Sequence, residues 1–280
     1  MSKIFFASLL AVVIVYTSQI ANAQSQNSVA GNPTLTTTVP GALDNPSVVG
    51  GLKSWNDSGR VRELQDPKGR FLKSKNEYFL GGKSEKGWGV YGQGVEYVRQ
   101  YGNTVKNTVN PGDPSVTLMH PDLYNEGRLR VWGQFREYFP VSDFSVNRSQ
   151  WQQAYYSRLL FKMRKNWDIY NEVIPRYFSQ SYYQANDTTF YSEDLTTLSH
   201  KQNSWFRYGL GQHSQVEFHP GTPTGNCVEV FPYAEFALSP TIFLSPRIYV
   251  PVAAQNSVFD GPTNVSTGNV QGEVYLQATL

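Results

Sequence analysis

The chain has 280 residues, of which 40% are hydrophobic and 14% aromatic, and its 24 Lys and Arg side chains nearly balance 22 Asp and Glu. A formal net charge of +2 gives no electrostatic reason to expect nucleic acid as a partner, and the low charge with the high aromatic content argues against disorder and against a helical bundle. One cysteine and four scattered histidines exclude a disulfide scaffold and a structural zinc module.

The first 23 residues have the pattern of a cleavable secretory signal. Lys3 precedes an apolar run from Ile4 to Tyr16, and Ala21-Asn22-Ala23 forms a small-residue cleavage site. The apolar run is shorter than the ~20 residues that a membrane-spanning helix needs. Gln24 occupies the position where a lipoprotein would carry cysteine. The sequence therefore predicts export, with a signal peptide at residues 1–23.

Two segments of unclear structure follow the signal. Residues 24–50 contain one charge, Asp44, among Asn, Thr, Ser, Pro and Gly, which is too little apolar mass for a core. We predict a flexible extension there. Residues 51–85 are mixed, with room for one hairpin of weak strands, and residues 51–280 are predicted to form one domain.

From residue 86 onward, polarity alternates with period two between clusters of Gly, Pro, Asn, Asp and Ser, which predicts β-strands. The regular strands are Gly127–Pro140, Asn203–His219, Val228–Leu238, Thr241–Ala253 and Asn269–Leu280, and the less regular ones are Gly87–Tyr101, Trp151–Arg164 and Trp167–Tyr183. These eight strands and a hairpin in 51–85 give ten, and we take twelve as the upper bound. Residues 184–202 do not fit the count, because they place a long segment where short turns are expected.

Strand length and aromatic placement distinguish a membrane barrel from a soluble sandwich. The predicted strands of 10–16 residues exceed the ~5–6 typical of soluble sheets and are long enough for a tilted crossing of a bilayer. Tyr and Trp lie near strand ends, as in an aromatic girdle, at Trp88, Tyr101, Tyr138, Trp151, Trp167, Tyr182, Tyr183 and Trp205. Together with the signal peptide and the amphipathic last strand, residues 86–280 resemble a bacterial outer-membrane β-barrel, although Leu280 stands where such proteins usually end in Phe.

The resemblance implies an all-β fold, a transmembrane antiparallel up-and-down barrel of 8–10 and at most 12 strands. It implies location in the bacterial outer membrane, with membrane lipid and the barrel assembly machinery as partners. We expect a non-enzymatic barrel that acts as a narrow pore for small solutes or in a structural and surface-interaction role. The alternative is a secreted β-sandwich that acts as a binding or adhesion protein.

Polar faces that point inward would line the lumen with charges of both signs, and such charges pair because an unpaired buried charge is costly. The predicted cations are Arg128, Arg130, Arg136, Arg158, Lys162, Arg164, Arg176, Arg207 and Arg247. The predicted carboxylates are Glu96, Asp168, Glu172, Glu217, Glu229, Glu235 and Glu273. This count predicts at most a slight preference for anions if the lumen is open, and an ion-pair plug is the competing expectation.

The sharpest expectation concerns six cations on two consecutive strands, which we name the basic ladder: Arg128, Arg130, Arg136, Arg158, Lys162 and Arg164. Like charges on one inner wall repel unless acidic side chains reach them. We therefore predict that Glu172 and at least one of Glu229 and Glu235 form charge-assisted hydrogen bonds with the basic ladder.

No catalytic, cofactor-binding or metal site is predicted. A lipid hydrolase would need a serine two residues from a histidine on the same strand face, and His120, His200, His213 and His219 have no such serine. A metal site at His213, Glu217 and His219 is less favoured than a hydrogen-bonded lumen. Cys227 falls in a predicted surface loop, where a lone cysteine is more often incidental than reactive.

Overall fold

A closed barrel of twelve antiparallel strands makes up most of the chain in the computed structural model. The structure describes residues 47–280 except 85, 87, 103–106, 149, 182–186 and 256–263. The predicted signal peptide and residues 24–46 of the predicted extension lie outside this described part. The first strand begins at Ser47, within the predicted extension, and pairs with the last strand to close the barrel.

Thirteen strands are present among the described residues, and all but one belong to the barrel wall. They are β1 Ser47–Ser58, β2 Arg70–Lys83, β3 Gly89–Tyr101, β4 Thr108–Pro111, β5 Ser115–Glu126, β6 Leu129–Tyr138, β7 Trp151–Lys162, β8 Trp167–Ser179, β9 Phe190–Lys201, β10 Phe206–Phe218, β11 Gly225–Ser239, β12 Ile242–Gln255 and β13 Gln271–Thr279. The short β4 pairs with β3 alone and lies outside the closed ring. The helices are α1 Val61–Leu64, α2 Asp143–Arg148 and a 3-10 turn at Thr267–Asn269. Within the described ranges, no helix has the length and apolar character needed to cross a bilayer.

The count of twelve reaches the upper bound of the prediction, because two strands escape the alternation pattern. Strand β9 lies in the segment 184–202 that did not fit the sequence-based count, and its outward positions Ser192, Asp194 and Thr196 are polar, which hides the period of two. Strand β5 has a register irregularity between His120 and Tyr124, which breaks the period there. The predicted hairpin in 51–85 is confirmed as β1 and β2.

The two ends of the barrel differ in the length of their connections. At one end, which we name the turn end, the strands are joined by residues 84–88, 127–128, 163–166, 202–205 and 240–241. At the other, the loop end, longer segments include 59–69 with α1 and 139–150 with α2. With β9 added, the connection 163–166 falls at the turn end, where Lys165 and Asn166 adopt positive φ angles of 58° and 64°, as a tight hairpin turn requires.

Apolar side chains cover the outside of the barrel, and polar side chains fill the inside. Outward residues such as Leu80 and Leu210 are 61% and 57% exposed, whereas the inward Glu77 and Gln277 are 2% and 1% exposed. A soluble sandwich buries its apolar face and exposes its polar face, so the arrangement here is the reverse. The predicted alternative of a β-sandwich is therefore wrong.

The predicted aromatic residues divide between the two faces. Trp88, Trp167 and Trp205 lie near the turn end and Trp151 near the loop end, each on or beside the outward face. Tyr138 is instead buried inside the barrel, 7% exposed, because it follows the even-numbered inward positions of β6. Tyr182 and Tyr183 lie outside the described residues. The outer surface thus has aromatic residues toward both ends of an apolar belt.

Candidate functional site

The lumen contains an ion pair that joins strands separated on the barrel wall. Arg136 of β6 lies with its Nη1 atom 3.2 Å from Oε1 of Glu77 on β2, and β3 and β5 lie between these two strands. Both side chains are less than 5% exposed. Lys75 Nζ is 3.1 Å from the same Glu77 oxygen, and Arg136 Nε donates to Thr117 Oγ1 at 3.1 Å. The pair therefore spans part of the lumen and is desolvated.

A second buried pair lies on the next two strands. Arg158 Nη2 of β7 is 3.0 Å from Glu172 Oε1 of β8, and Arg158 Nη1 donates to Gln134 Oε1 at 3.1 Å. The Tyr170 hydroxyl donates to the other carboxylate oxygen of Glu172. The predicted contact between Glu172 and the basic ladder is thus confirmed, and Gln134 and Tyr170 hold it in place.

Two further arginines extend the ion-pair network round the lumen. Arg207 lies between Asp168 at 3.3 Å and Glu235 at 3.7 Å. Arg247 Nη1 lies 3.0 Å from Glu273 Oε1. These five side chains were all predicted to face the lumen, and the structure brings each one to an oppositely charged partner.

Four of the six cations of the basic ladder lie near the turn-end rim of the barrel. Arg128 is exposed in the turn before β6, Lys162 is exposed at the end of β7, and Arg164 is exposed in the following turn. Arg130 pairs with Asp122 at 2.5 Å near the turn end, where both side chains are about one third exposed. The prediction of six cations on one inner wall is therefore wrong, because four of them lie near the rim, where water solvates them.

Three predicted carboxylates have partners other than the basic ladder. Glu229 lies 3.6 Å from Arg60, and the partner of Glu235 is Arg207, so the prediction that one of these glutamates reaches the ladder is wrong. Glu217 accepts a hydrogen bond from Thr188 and lies 3.6 Å from His219.

Glu96 was predicted to point inward, but it lies on the outward face of β3. Its register partner on β2 is Asn76, which alternates with the buried inward residue Glu77. The period of two therefore places Glu96 and Asn76 together on the outside.

The lumen residues of β1 and β2 were not predicted from the sequence. Lys53, Lys73, Lys75 and Glu77 occupy inward positions there, and three of them are less than 9% exposed. The outward positions beside them include polar residues such as Ser74, so the alternation of apolar and polar residues that marks other strands is absent. The available signal was the spacing of charges at every second residue of β2.

The inward charges are segregated between two halves of the barrel wall. Among described residues that are not exposed, strands β1 to β7 contribute the cations Lys53, Arg70, Lys73, Lys75, Lys83, Arg99, Arg130, Arg136 and Arg158 against the carboxylates Asp57 and Glu77. Strands β8 to β13 contribute Arg176, Lys201, Arg207 and Arg247 against Asp168, Glu172, Glu193, Glu217, Glu229, Glu235 and Glu273. A basic wall therefore faces an acidic wall, which produces an electric field across the lumen.

The first loop at the loop end folds toward the lumen and is fixed by Arg60. The Arg60 side chain is 4% exposed, its Nη1 atom donates to the Asn269 carbonyl at 2.8 Å, and the same atom lies 3.6 Å from Glu229 on β11. The Arg60 amide donates to Glu63 Oε2 at 2.8 Å, and the Val61 amide donates to the Val270 carbonyl at 3.1 Å. These bonds join the loop that contains α1 to the segment before β13.

Two histidines, His213 and His219, contact polar side chains of the lumen wall. His213 lies 3.3 Å from Gln215 and 3.8 Å from Glu229, and His219 lies near Glu217. Within the residues that the structure describes, no three His, Cys, Asp or Glu side chains are grouped to hold a metal ion. The geometry therefore supplies polar contacts for the lumen wall at these positions.

Cys227 lies near the start of β11 and points inward, so its predicted position in a surface loop is wrong. Its side chain is 0% exposed, and Sγ donates to Gln215 Oε1 at 3.4 Å.

The inward placement of Cys227 predicts that its thiol is protected in the folded protein. We expect no reaction of the folded protein with a membrane-impermeant maleimide and complete reaction after boiling in SDS. Mass spectrometry measures the labelled fraction, and a Ser84→Cys variant, whose side chain is exposed in the connection between β2 and β3, serves as the reactive control in detergent. Rapid labelling of folded wild type would contradict the inward placement.

Comparisons with known proteins identify the class of fold. No family model matches the chain, and no curated protein matches it. A solved outer membrane channel from Pseudomonas putida F1 is 11% identical, with a TM-score of 0.58, over 85% of this chain and 97% of that chain. The NanC porin is also 11% identical, with a TM-score of 0.49, over 82% of this chain and 100% of that chain. The chain has the fold of bacterial outer-membrane β-barrel proteins, as the resemblance implied.

Proposed function

We propose that the protein is an outer-membrane barrel that forms a narrow pore for small ions and dipolar solutes. Support for the membrane location comes from the apolar outer face and the aromatic residues near both ends, since lipid would contact that face and interfaces favour Trp and Tyr. Recovery of the protein in the membrane fraction after export tests this part. A protein found wholly in the soluble periplasmic or culture fraction would contradict it.

The charge segregation of the lumen is the observation that carries the proposed pore. A basic half-wall opposite an acidic half-wall orients a zwitterion or other dipole as it passes through the lumen. Small anions are attracted to the basic wall and small cations to the acidic wall. The inward, non-exposed cations of the described strands number thirteen against nine carboxylates, from the residues given above. We therefore expect at most a slight preference for anions, in line with the prediction from the sequence.

Planar-bilayer recording tests the pore. We expect small, reproducible single-channel steps in KCl, with a reversal potential that indicates weak anion selectivity, and a stronger anion preference for Glu172→Gln because one carboxylate of the acidic wall is neutralised. Glu96→Gln is the matched control, since Glu96 lies outside the barrel, and it should conduct as wild type. Absence of steps from samples that are folded, as shown by resistance to SDS until boiling, would contradict a pore.

A structural or surface-interaction role is the second candidate, and the packing of the mid-lumen favours it. Tyr170, Gln134 and Gln277 are each no more than 1% exposed, so side chains fill parts of the lumen at their level. A filled barrel would insert in the membrane without conducting. Silent but correctly inserted protein in the recording above would select this role.

A further inference from the structure

A polar group lies on the outer face of the barrel, in the middle of the apolar belt. It consists of Asn171 on β8, Ser192, Asp194 and Thr196 on β9, and Gln212 and Ser214 on β10, which we name the outer polar patch. Each residue alternates with inward neighbours such as Glu172, Glu193 and Gln215, and none of the six is buried. Because these positions point away from the lumen, the proposed pore does not use them.

Two rows of rings place the outer polar patch at the depth of the lipid chains. Toward the loop end, Phe190 contacts Tyr177 and Phe218, with centroid distances of 4.9 and 5.6 Å. Toward the turn end, His200 contacts Trp167 and Tyr208, with centroid distances of 4.9 and 5.4 Å. The ten residue steps from the first row to the second correspond to about 25 Å of height in a tilted strand, which matches the apolar band of a membrane barrel.

Asp194 is the centre of the patch, and its neighbours there satisfy only part of the hydrogen-bonding capacity of its carboxylate. Asn171 Nδ2 donates to Asp194 Oδ2 at 2.9 Å, and the Thr196 hydroxyl donates to Asp194 Oδ1 at 3.1 Å. A carboxylate accepts about four hydrogen bonds, so each oxygen retains capacity. Lipid chains offer no donor, and a charge that faces them is costly, which makes this wall a poor lipid contact.

A comparison within the barrel shows that the patch is unlike other outward polar residues. Ser54, Asn56, Ser74 and Asn76 also point outward and are linked by hydrogen bonds of 2.7 to 3.0 Å. Tyr78 and Leu80 follow them toward the turn end, and Leu72 follows Ser74 toward the loop end. They lie at a similar depth, since Asn76 and Asp194 are each seven residues from the turn end of their strands. They carry no charge, however, and their hydrogen bonds are made to one another, so lipid contact is less costly there than at Asp194.

We propose that the outer polar patch binds a second copy of this chain through a two-fold symmetric contact whose axis lies between β9 and β10, beside Asp194. The patch is self-complementary, because the same surface holds unspent donors in the Gln212 amide and the Ser192 and Ser214 hydroxyls as well as the unspent acceptor capacity of Asp194. In a two-fold contact, the donors of each copy face the carboxylate of the other, and this is the commonest symmetry of protein dimers. Exposed apolar residues beside it, including Leu198 and Leu210, pack at the edges of the contact.

This inference rests on the proposed membrane location, and cross-linking in the membrane tests it. In a Cys227→Ser background, Ser214→Cys should give a product of two chains with a short bismaleimide in outer-membrane preparations. Leu118→Cys is the matched control, because Leu118 is outward and 43% exposed on β5, four strands away from β9 round the barrel. We expect at least a tenfold larger cross-linked fraction for Ser214→Cys than for Leu118→Cys.

A second measurement uses the mass of the detergent-solubilised particle. Wild type should contain two chains per particle, and the triple variant Asn171→Leu, Asp194→Leu and Thr196→Val should contain one while it remains resistant to SDS until boiling. Wild type that conducts but yields only single chains in both experiments would overturn the dimer and leave the pore intact. Cross-linking of Ser214→Cys to a different protein would also overturn it, whereas a soluble protein would remove the pore and the dimer together.

Discussion

Replacing Glu77 with glutamine is expected to lower the free energy of unfolding by about 3–5 kcal/mol, the usual cost of breaking a buried ion pair from one side. Glu77 is 2% exposed and lies near both Arg136 and Lys75, so the neutral amide would leave two cations without their carboxylate in a desolvated lumen. Urea unfolding of the detergent-refolded barrel, followed by tryptophan fluorescence, measures the change. The same variant should conduct with a stronger anion preference.

Two further variants separate the effect of the ion pair from that of the substitution. Glu96→Gln makes the same chemical change on the outward face of β3 and should alter unfolding by less than about 0.5 kcal/mol, as surface substitutions usually do. The double variant Glu77→Gln and Arg136→Met should recover part of the loss, because it removes one of the unpaired charges. Equal stability of Glu77→Gln and wild type would show that the lumen is hydrated at this level and that the pair is not desolvated.

Replacing Arg60 with alanine is expected to release the first loop and raise the single-channel conductance severalfold. The Arg60 guanidinium contacts the Asn269 carbonyl before β13 and Glu229 on β11, three strands from β1 round the wall, and these contacts hold α1 against that side of the mouth. Loss of them leaves the loop attached through weaker backbone contacts, such as that from Val61 to Val270. Bilayer recording should show larger and noisier steps.

Arg62→Ala is the matched control for the loop, because Arg62 lies on α1 but is exposed. It removes an equal charge two residues away and should leave the conductance within the spread of wild type. An Arg60→Ala channel with unchanged step size and noise would refute the view that this loop narrows the mouth. Conductance changes of equal size in both variants would point to surface charge rather than to the tether.

The strands that the sequence predicted are those in which one face is apolar and the other polar. Strands such as β12, with Ile242, Leu244 and Ile248 outside, follow this rule because lipid-facing and lumen-facing positions alternate. Strand β9 was not predicted, because Asp194 and its outward neighbours are polar and the strand therefore lacks an apolar face. The same outward polar residues form the inferred contact between two copies of the chain. The alternation of apolar and polar residues thus predicts the barrel strands, whereas polar residues at outward positions indicate a surface that does not simply contact lipid.

The ion-pair network was predictable only in part, since a pattern along one strand assigns a face but not a partner. Arg158 and Glu172 could be matched because their strands are consecutive and the register follows from a short turn. The partner of Arg136 could not be identified in this way, because Glu77 lies 59 residues earlier in the chain and contacts it across the lumen. Such a contact depends on barrel diameter and strand tilt, which no local pattern encodes.

The pairing of β1 with β13 has a consequence for how the chain reaches its final form. Gly51 lies opposite Thr279, so closure of the ring joins residues from the two ends of the sequence, and this contact cannot form before nearly all of the chain is available. Long-range strand pairing of this kind makes folding slow. Until closure, the growing sheet has two unpaired edges with apolar outer faces, which invite aggregation in water. Protection of those edges during export is therefore a requirement of the topology itself.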